Sequence, residues 1–254
     1  DLELLLAHVL ERDRTWVYTW PEKILTPAEL ASFDALLAAR KQGRPVAHLL
    51  GQREFWGLPL AVDNSTLIPR PDTETLVEMA LGLSLSAQAR VLDLGTGTGA
   101  IALALASEHP GWQITAVDFS PAAVALAERN RQALGLHNVQ VKQSNWFAEI
   151  VTHDFDLIVS NPPYIDPLDP HLTEGDVRFE PLSALVAGQE GLADIEHIIR
   201  ASGEYLRPGG WLLLEHGYHQ GAVVRRLLEQ AGYQAVSTRK DLGDNDRISG
   251  GRKP

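Results

Sequence analysis

The run Asn161-Pro162-Pro163-Tyr164 presents an amide oxygen, two ring-locked backbone positions and a phenol ring within four consecutive residues. That set suits an NH2 group as the reactant. An amide or aromatic NH2 has two hydrogens and a delocalised lone pair, so it is a poor nucleophile. The side-chain oxygen of Asn161 and the carbonyl of Pro162 can each accept one hydrogen, the prolines fix the backbone, and Tyr164 offers a flat face. Gripping both hydrogens aims the lone pair. Acceleration would then come from positioning and electrostatics, with no strong general base. The same residue types also make ordinary turns; what favours chemistry is their place after the apolar run Phe155 to Ser160, at the end of a strand.

A second constellation supplies what such a nucleophile would need. Residues Val91 to Ala100 read Val-Leu-Asp-Leu-Gly-Thr-Gly-Thr-Gly-Ala, a strand entering a glycine-rich turn that opens a helix. Glycine lets the backbone turn tightly and approach a ligand, and the helix N-terminus offers unpaired amides. Asp118, 23 residues after Gly95, closes the next strand, where a carboxylate can accept both ribose hydroxyls of a nucleoside. Gly95, Gly97 and Ala100 also satisfy the dinucleotide fingerprint, so the loop alone leaves the nucleoside open. Asp93 favours S-adenosylmethionine: an acid there meets a pyrophosphate unfavourably and can face the cationic amino-acid end of a sulfonium cofactor.

The elements that must position these residues follow from periodicity. Apolar strands at 91–94, 113–117, 139–142, 155–160 and 211–215 alternate with helices at 100–107 and 121–134. This predicts an α/β, mostly parallel, doubly wound sheet whose ligands bind beyond the strands' carboxyl ends. The tail from Asp241 to Pro254 is Gly-rich and polar, with a last edge strand expected near Arg247 to Gly250. The first fifty residues read as helices. Leu2, Leu5, Leu6, Val9 and Leu10 share one face, and Thr26, Pro27 and Glu29 form an N-cap, first-turn proline and capping-box acid. Gly43 ends that helix, and a short one over 45–50 closes at Gly51. Residues 53–68 break at Gly57 and Pro59 like a hairpin connector, and 71–83 reads as a helix.

Composition narrows the function classes. Among 254 residues, 33 acids against 22 bases leave a formal charge of −11, the wrong sign for a protein whose main business is holding phosphate backbones. Cysteine is absent, which removes disulfides, thiolate metal sites and a cysteine nucleophile together, and fits a reducing cytoplasm. No apolar run approaches a membrane span, so a soluble protein is expected; a monomer in the cytoplasm is the accompanying expectation. The numbering opens at Asp1 inside an amphipathic helix without an initiator methionine, which points to a natural start upstream.

Four stretches make the whole chain resemble a known family: Arg53 to Leu58, the Thr-Leu-Ile-Pro-Arg-Pro-Asp-Thr-Glu run of Thr66 to Glu74, the loop Asp93 to Gly99, and Ser160 to Ile165. They are similar to the HemK/PrmC group of class I S-adenosylmethionine methyltransferases, which methylate N5 of the glutamine in the Gly-Gly-Gln loop of bacterial release factors. The resemblance implies a seven-stranded Rossmann-like domain over 71–254, a connector over 53–70 and a helical substrate-recognition domain over 1–52. It implies cofactor contacts from Gly95, Thr96, Gly97, Thr98, Gly99, Asp118, Trp146 and Asn161. Asn161, Pro162, Pro163 and Tyr164 would form the glutamine pocket, with Asn161, Pro162 and Tyr164 as the catalytic set, S-adenosylhomocysteine as product, and a release factor as partner. Where similar enzymes often carry aspartate before the tryptophan, Asn145 stands here, and it is left out of the expected set.

Two other readings stay open: an amino methyltransferase acting on adenine or guanine of nucleic acid, or on a ribosomal-protein glutamine, and a cofactor-binding module without catalysis. The nine histidines show no ligand spacing, so no metal is expected. Arg70 is open between a substrate contact and a salt bridge with a neighbour such as Asp72. Trp16, Trp20 and Trp56 are expected in the core.

Overall fold

The computed structural model describes residues 1–254. Its first fifty residues form four helices: α1 (Leu2–Val9), α2 (Arg14–Thr19), α3 (Pro27–Lys41) and α4 (Val46–Leu50). The capping box is formed in full: Thr26 accepts from the Glu29 amide while the Glu29 carboxylate accepts from the Thr26 amide at 2.6 Å. Strands β1 (Gln52–Phe55) and β2 (Leu58–Ala61) then pair antiparallel through the two-residue turn Trp56-Gly57, both left-handed at φ 53° and 70°. That is the turn geometry that matches strand twist in a tight hairpin.

The remaining chain builds one seven-stranded sheet in the order β5-β4-β3-β6-β7-β9-β8. Its strands are β3 (Arg90–Leu94), β4 (Gln113–Asp118), β5 (Val139–Gln143), β6 (Phe155–Ser160), β7 (Leu206–Glu215), β8 (Gln234–Lys240) and β9 (Asp246–Arg252). The helices are α5 (Glu74–Leu81), α6 (Ala100–Glu108), α7 (Pro121–Ala133), the short α8 (Gly188–Gly191), α9 (Ala193–Tyr205) and α10 (Gly221–Gln230). The two-residue period of the strands sorts the core onto both faces. Val91, Leu157, Val159 and Leu213 pack with Leu76, Val77 and Leu105 of α5 and α6. Leu92, Leu94, Ile158, Leu212 and Leu214 pack with Ile195, Ile198, Val224 and Leu228 of α9 and α10. No helix is long and apolar enough to cross a membrane.

Three expectations need correction. The last strand is not at the edge: β9 is antiparallel to both β7 and β8, and β8, which the sequence did not announce, takes the edge. Glycine allows the insertion, since a Cβ on Gly250 would stand 2.8 Å from the Leu212 carbonyl oxygen of β7. The expected helix over 71–83 is a 3₁₀ turn, Pro71–Thr73, followed by the shorter α5. Trp20, the residue just after α2, is 56% exposed instead of core, and α2 itself buries none of its residues; Trp16 and Trp56 are half-buried.

Candidate functional site

The turn between β3 and α6 holds Gly95, Gly97 and Gly99 at φ 69°, 56° and 87°, a left-handed series that glycine adopts without strain. The loop is tied to the neighbouring strand at two points. The Thr96 amide donates to the Val117 carbonyl at 2.9 Å, and the Gly97 amide donates to Asp118 Oδ2 at 2.9 Å. Asp118 Oδ1 accepts from the Ser120 amide at 2.9 Å, and burial raises the Asp118 pKa. Backbone donors thus orient the carboxylate at the cavity wall, with further lone pairs left for hydroxyls.

Asp93 is elsewhere than expected. It is fully buried beneath the loop and off the cavity wall, with Oδ2 accepting from the Thr96 hydroxyl at 2.6 Å and Oδ1 without a partner. Burial pushes its pKa up to about 7. Its contact with a ligand would pass through Thr96.

Beyond β5 the chain turns at Trp146, itself left-handed at φ 51°. The Ser144 hydroxyl donates to the Trp146 carbonyl at 2.8 Å and accepts from the Glu149 amide at 3.1 Å, which holds the turn. The indole lies over the glycine loop: a Cβ on Gly95 would stand 3.5 Å from its Cζ3.

Strand β6 is buried along its whole length, and the Ser160 hydroxyl donates to the Leu94 carbonyl at 2.7 Å, fixing the ends of β3 and β6 together. Asn161 therefore emerges beside the glycine loop. These segments enclose a cavity of about 360 Å³, in the ~300–1,000 Å³ range of small-molecule sites. Gly95, Thr96, Gly97, Thr98, Asp118, Trp146, Asn161 and Pro163 all line it. Gly99, Pro162 and Tyr164 do not. Gly99 instead starts α6 against Leu103, Pro162 is buried behind the wall, and Tyr164 turns its hydroxyl to Glu215 Oε1 at 3.2 Å.

Comparison with known proteins bears on this geometry. Residues 1–51 match the PrmC N-terminal domain and residues 72–174 the methyltransferase small domain. The chain is 56% identical over 252 residues to the release factor glutamine methyltransferase of Escherichia coli (strain K12), covering 99% of this chain and 91% of that one. The enzyme of the same name from Shewanella oneidensis is also 56% identical, over 99% of this chain and 88% of its own. The chain belongs to the release factor glutamine methyltransferase family. Solved structures more distant in sequence share the fold. A methyltransferase from Pyrococcus furiosus aligns with TM-score 0.60 at 20% identity, covering 87% of this chain and 97% of that one. A T. Thermophilus 16S rRNA N2 G1207 methyltransferase, in complex with AdoMet and guanosine, aligns with TM-score 0.55 at 22% identity, covering 80% and 50%.

Within this family member, the Pro-Arg-Pro-Asp-Thr-Glu run acts as a bracket. Glu74 accepts from the Trp56 amide in the hairpin turn at 2.9 Å, Asp72 faces Arg247 of β9 at 3.7 Å, and Thr73 accepts from Asn161 Nδ2 at 3.2 Å. Arg70 lines the cavity, and its ion-pair partner is Glu180, not Asp72. The Glu180 carboxylate also accepts from the Ile68 amide at 2.8 Å.

Sequence reasoning missed several wall residues. Phe119 is 69% exposed and lines the cavity right after Asp118, an exposed aromatic whose position at a strand end was the available signal. Ser144, Asn145 and Asp194 also line it. Asp194 opens α9, and nothing in its local sequence marks it as facing the site.

Proposed function

We propose that this methyltransferase transfers the methyl group of S-adenosylmethionine to the side-chain amide nitrogen of the glutamine in the Gly-Gly-Gln loop of peptide-chain release factors. The observation that carries the reading is that Asn161 and Pro163, at the end of β6, share one cavity with Gly95 to Thr98, Asp118 and Trp146. An amine grip and a nucleoside cradle therefore open onto the same space.

The cradle fits the cofactor. The left-handed glycines leave backbone exposed at the α6 N-terminus, Asp118 is oriented to accept from ribose hydroxyls, and the Trp146 and Phe119 rings are available to the adenine. When bound, the sulfonium supplies an electrophilic methyl. The protein's own work is orientation. Asn161 Oδ1 accepts one hydrogen of the glutamine amide, the Pro162 carbonyl is assigned the other, and the Pro163 ring forms the wall beside them. Tyr164 holds the turn from behind through its bond to Glu215. No side chain needs to act as a strong base, because the amide proton becomes acidic only as the new bond forms.

The domain roles are part of the same reading. Residues 1–52 would grip the release factor, 53–70 connect, and 71–254 carry out transfer. Contacts that support communication between them are Arg40 with Asp176 at 2.9 Å and Arg178 with the Gln42 carbonyl at 2.9 Å. The formal charge of −11 weighs against nucleic acid as the substrate. The reading includes a monomeric enzyme acting in the cytoplasm.

The test is transfer of labelled methyl to a purified release factor, beside a version with alanine for the loop glutamine, and beside DNA and ribosomal RNA. Label on the wild-type factor alone is expected; label on nucleic acid, or on nothing, overturns the reading. Asn161→Ala should lose turnover by about a hundredfold or more while cofactor binding stays measurable.

A further inference from the structure

We propose that Thr73 and Glu215 are positioning residues that decide which end of the Asn161 amide faces the reactants. The inference rests on the substrate reading above and adds two residues to its machinery. A primary amide has an acceptor and a donor end of nearly equal shape. Only the oxygen end can hold an NH2 substrate; turned over, Asn161 would set donor against donor. Something behind it must prefer the nitrogen.

Thr73 Oγ1 is that group, accepting from Asn161 Nδ2 at 3.2 Å. A hydroxyl could pair with either end, since it donates as well as accepts. It is confined to accepting when its own proton is taken elsewhere. The neighbour able to take it is Glu215, 1% exposed at the end of β7, whose carboxylate faces Thr73. Glu215 Oε1 accepts from the Tyr164 hydroxyl at 3.2 Å, while Oε2 is buried without a hydrogen-bond partner, an acceptor that the Thr73 proton would satisfy. One carboxylate thus orders both ends of Asn161-Pro162-Pro163-Tyr164: Tyr164 directly and Asn161 through Thr73. The Pro71–Thr73 turn supplies the threonine, which gives the run before α5 a role in the site.

The arrangement needs an ionised Glu215. Facing it are Thr73 and Asp72 from the 3₁₀ turn, Tyr164 from the loop after β6, and Arg247 from β9. Burial and Asp72 raise its pKa, while Thr73, Arg247 and Tyr164 lower it, and the balance lies at about 7. Once protonated, Glu215 can donate to Thr73 and free the threonine proton to seek Asn161 Oδ1, which reverses the amide.

The experiment compares wild type, Thr73→Val, Thr73→Ser and Glu215→Gln, all as full chains, with a purified release factor as substrate. Readouts are kcat, KM, the Kd for S-adenosylhomocysteine and the pH profile of kcat. Thr73→Val should lower kcat about tenfold or more and leave the Kd within about threefold. Thr73→Ser, which keeps the hydroxyl, should restore most of kcat. Wild-type kcat should fall as pH drops through the region near 7, and Glu215→Gln should be slow with that fall abolished. Valine at wild-type kcat, serine no better than valine, or an unchanged acid limb in Glu215→Gln overturns the relay. If the valine variant fails to fold, the serine variant and the Glu215→Gln profile decide it. A wild-type enzyme that leaves the glutamine unlabelled overturns the substrate reading itself, an outcome distinct from labelling that survives loss of the hydroxyl.

Discussion

Asn130 Nδ2 donates to the Thr98 carbonyl at 2.9 Å, joining the last turn of α7 to the glycine loop. The same side chain donates to the Ala61 carbonyl at 3.0 Å and accepts from the Ala61 amide at 2.8 Å, so one buried amide clamps the hairpin connector to the glycine turn. Each buried group left unpaired costs about 1–3 kcal/mol. Asn130→Ala should therefore destabilise the fold by about 3 kcal/mol in urea titration, and should weaken cofactor binding in calorimetry more than a core truncation of equal stability cost.

Two glycines make a matched pair. Gly191 has φ 83°, and a Cβ there would stand 2.1 Å from the Tyr164 carbonyl oxygen. Gly191→Ala must displace that turn or strain α8, and should lower kcat and cost about 2 kcal/mol or more. Gly203, inside α9, has open space around its missing Cβ. Gly203→Ala should be neutral or stabilising by up to about 1 kcal/mol with activity intact. Thermal unfolding alongside methyl transfer separates the two.

The buried Asp93 sets a pH dependence. Its ordinary pKa of 3.8 rises to about 7 in the fold because burial disfavours the charge. Between those values the unfolded chain has lost the proton and the folded chain has kept it. Stability is thus present below about 4 and is lost as pH rises through 7. Asp93→Asn does not titrate, so it should be more stable than wild type at pH 8, with the gap shrinking as pH falls toward 4. Denaturant midpoints across that range check the sign.

Phe119 is 69% exposed on the cavity wall, where its ring is free to stack on a ligand. Phe119→Ala should weaken S-adenosylhomocysteine binding by about tenfold through lost stacking and apolar contact, with little change in stability. Calorimetric titration measures it.

The site was legible where its chemistry is local. A strand, three positive-φ glycines and a helix start occupy consecutive residues, so Gly95 to Gly99 announce their turn, and Thr26 with Glu29 announces a cap for the same reason. Asn161 and Pro163 were placed correctly at a strand end because strand and turn are adjacent in sequence. Tyr164 was expected to face the ligand. It faces Glu215 instead, 51 residues away in the chain, and no local pattern carries that partnership.

By itself the sequence determined the α/β alternation, the helical first fifty residues, the glycine turn, the Asn-Pro-Pro-Tyr turn and the family, since each depends on residues close together or on whole-chain similarity. Only the tertiary structure decided that β9 enters between β7 and β8, that Arg70 pairs with Glu180, that Asn130 clamps two segments, and that Asp93 lies under the loop instead of in the cavity. Those outcomes depend on which distant groups meet when the sheet closes. A buried donor or carboxylate takes whatever partner the packed fold brings within about 3 Å, and that distance is not written along the chain.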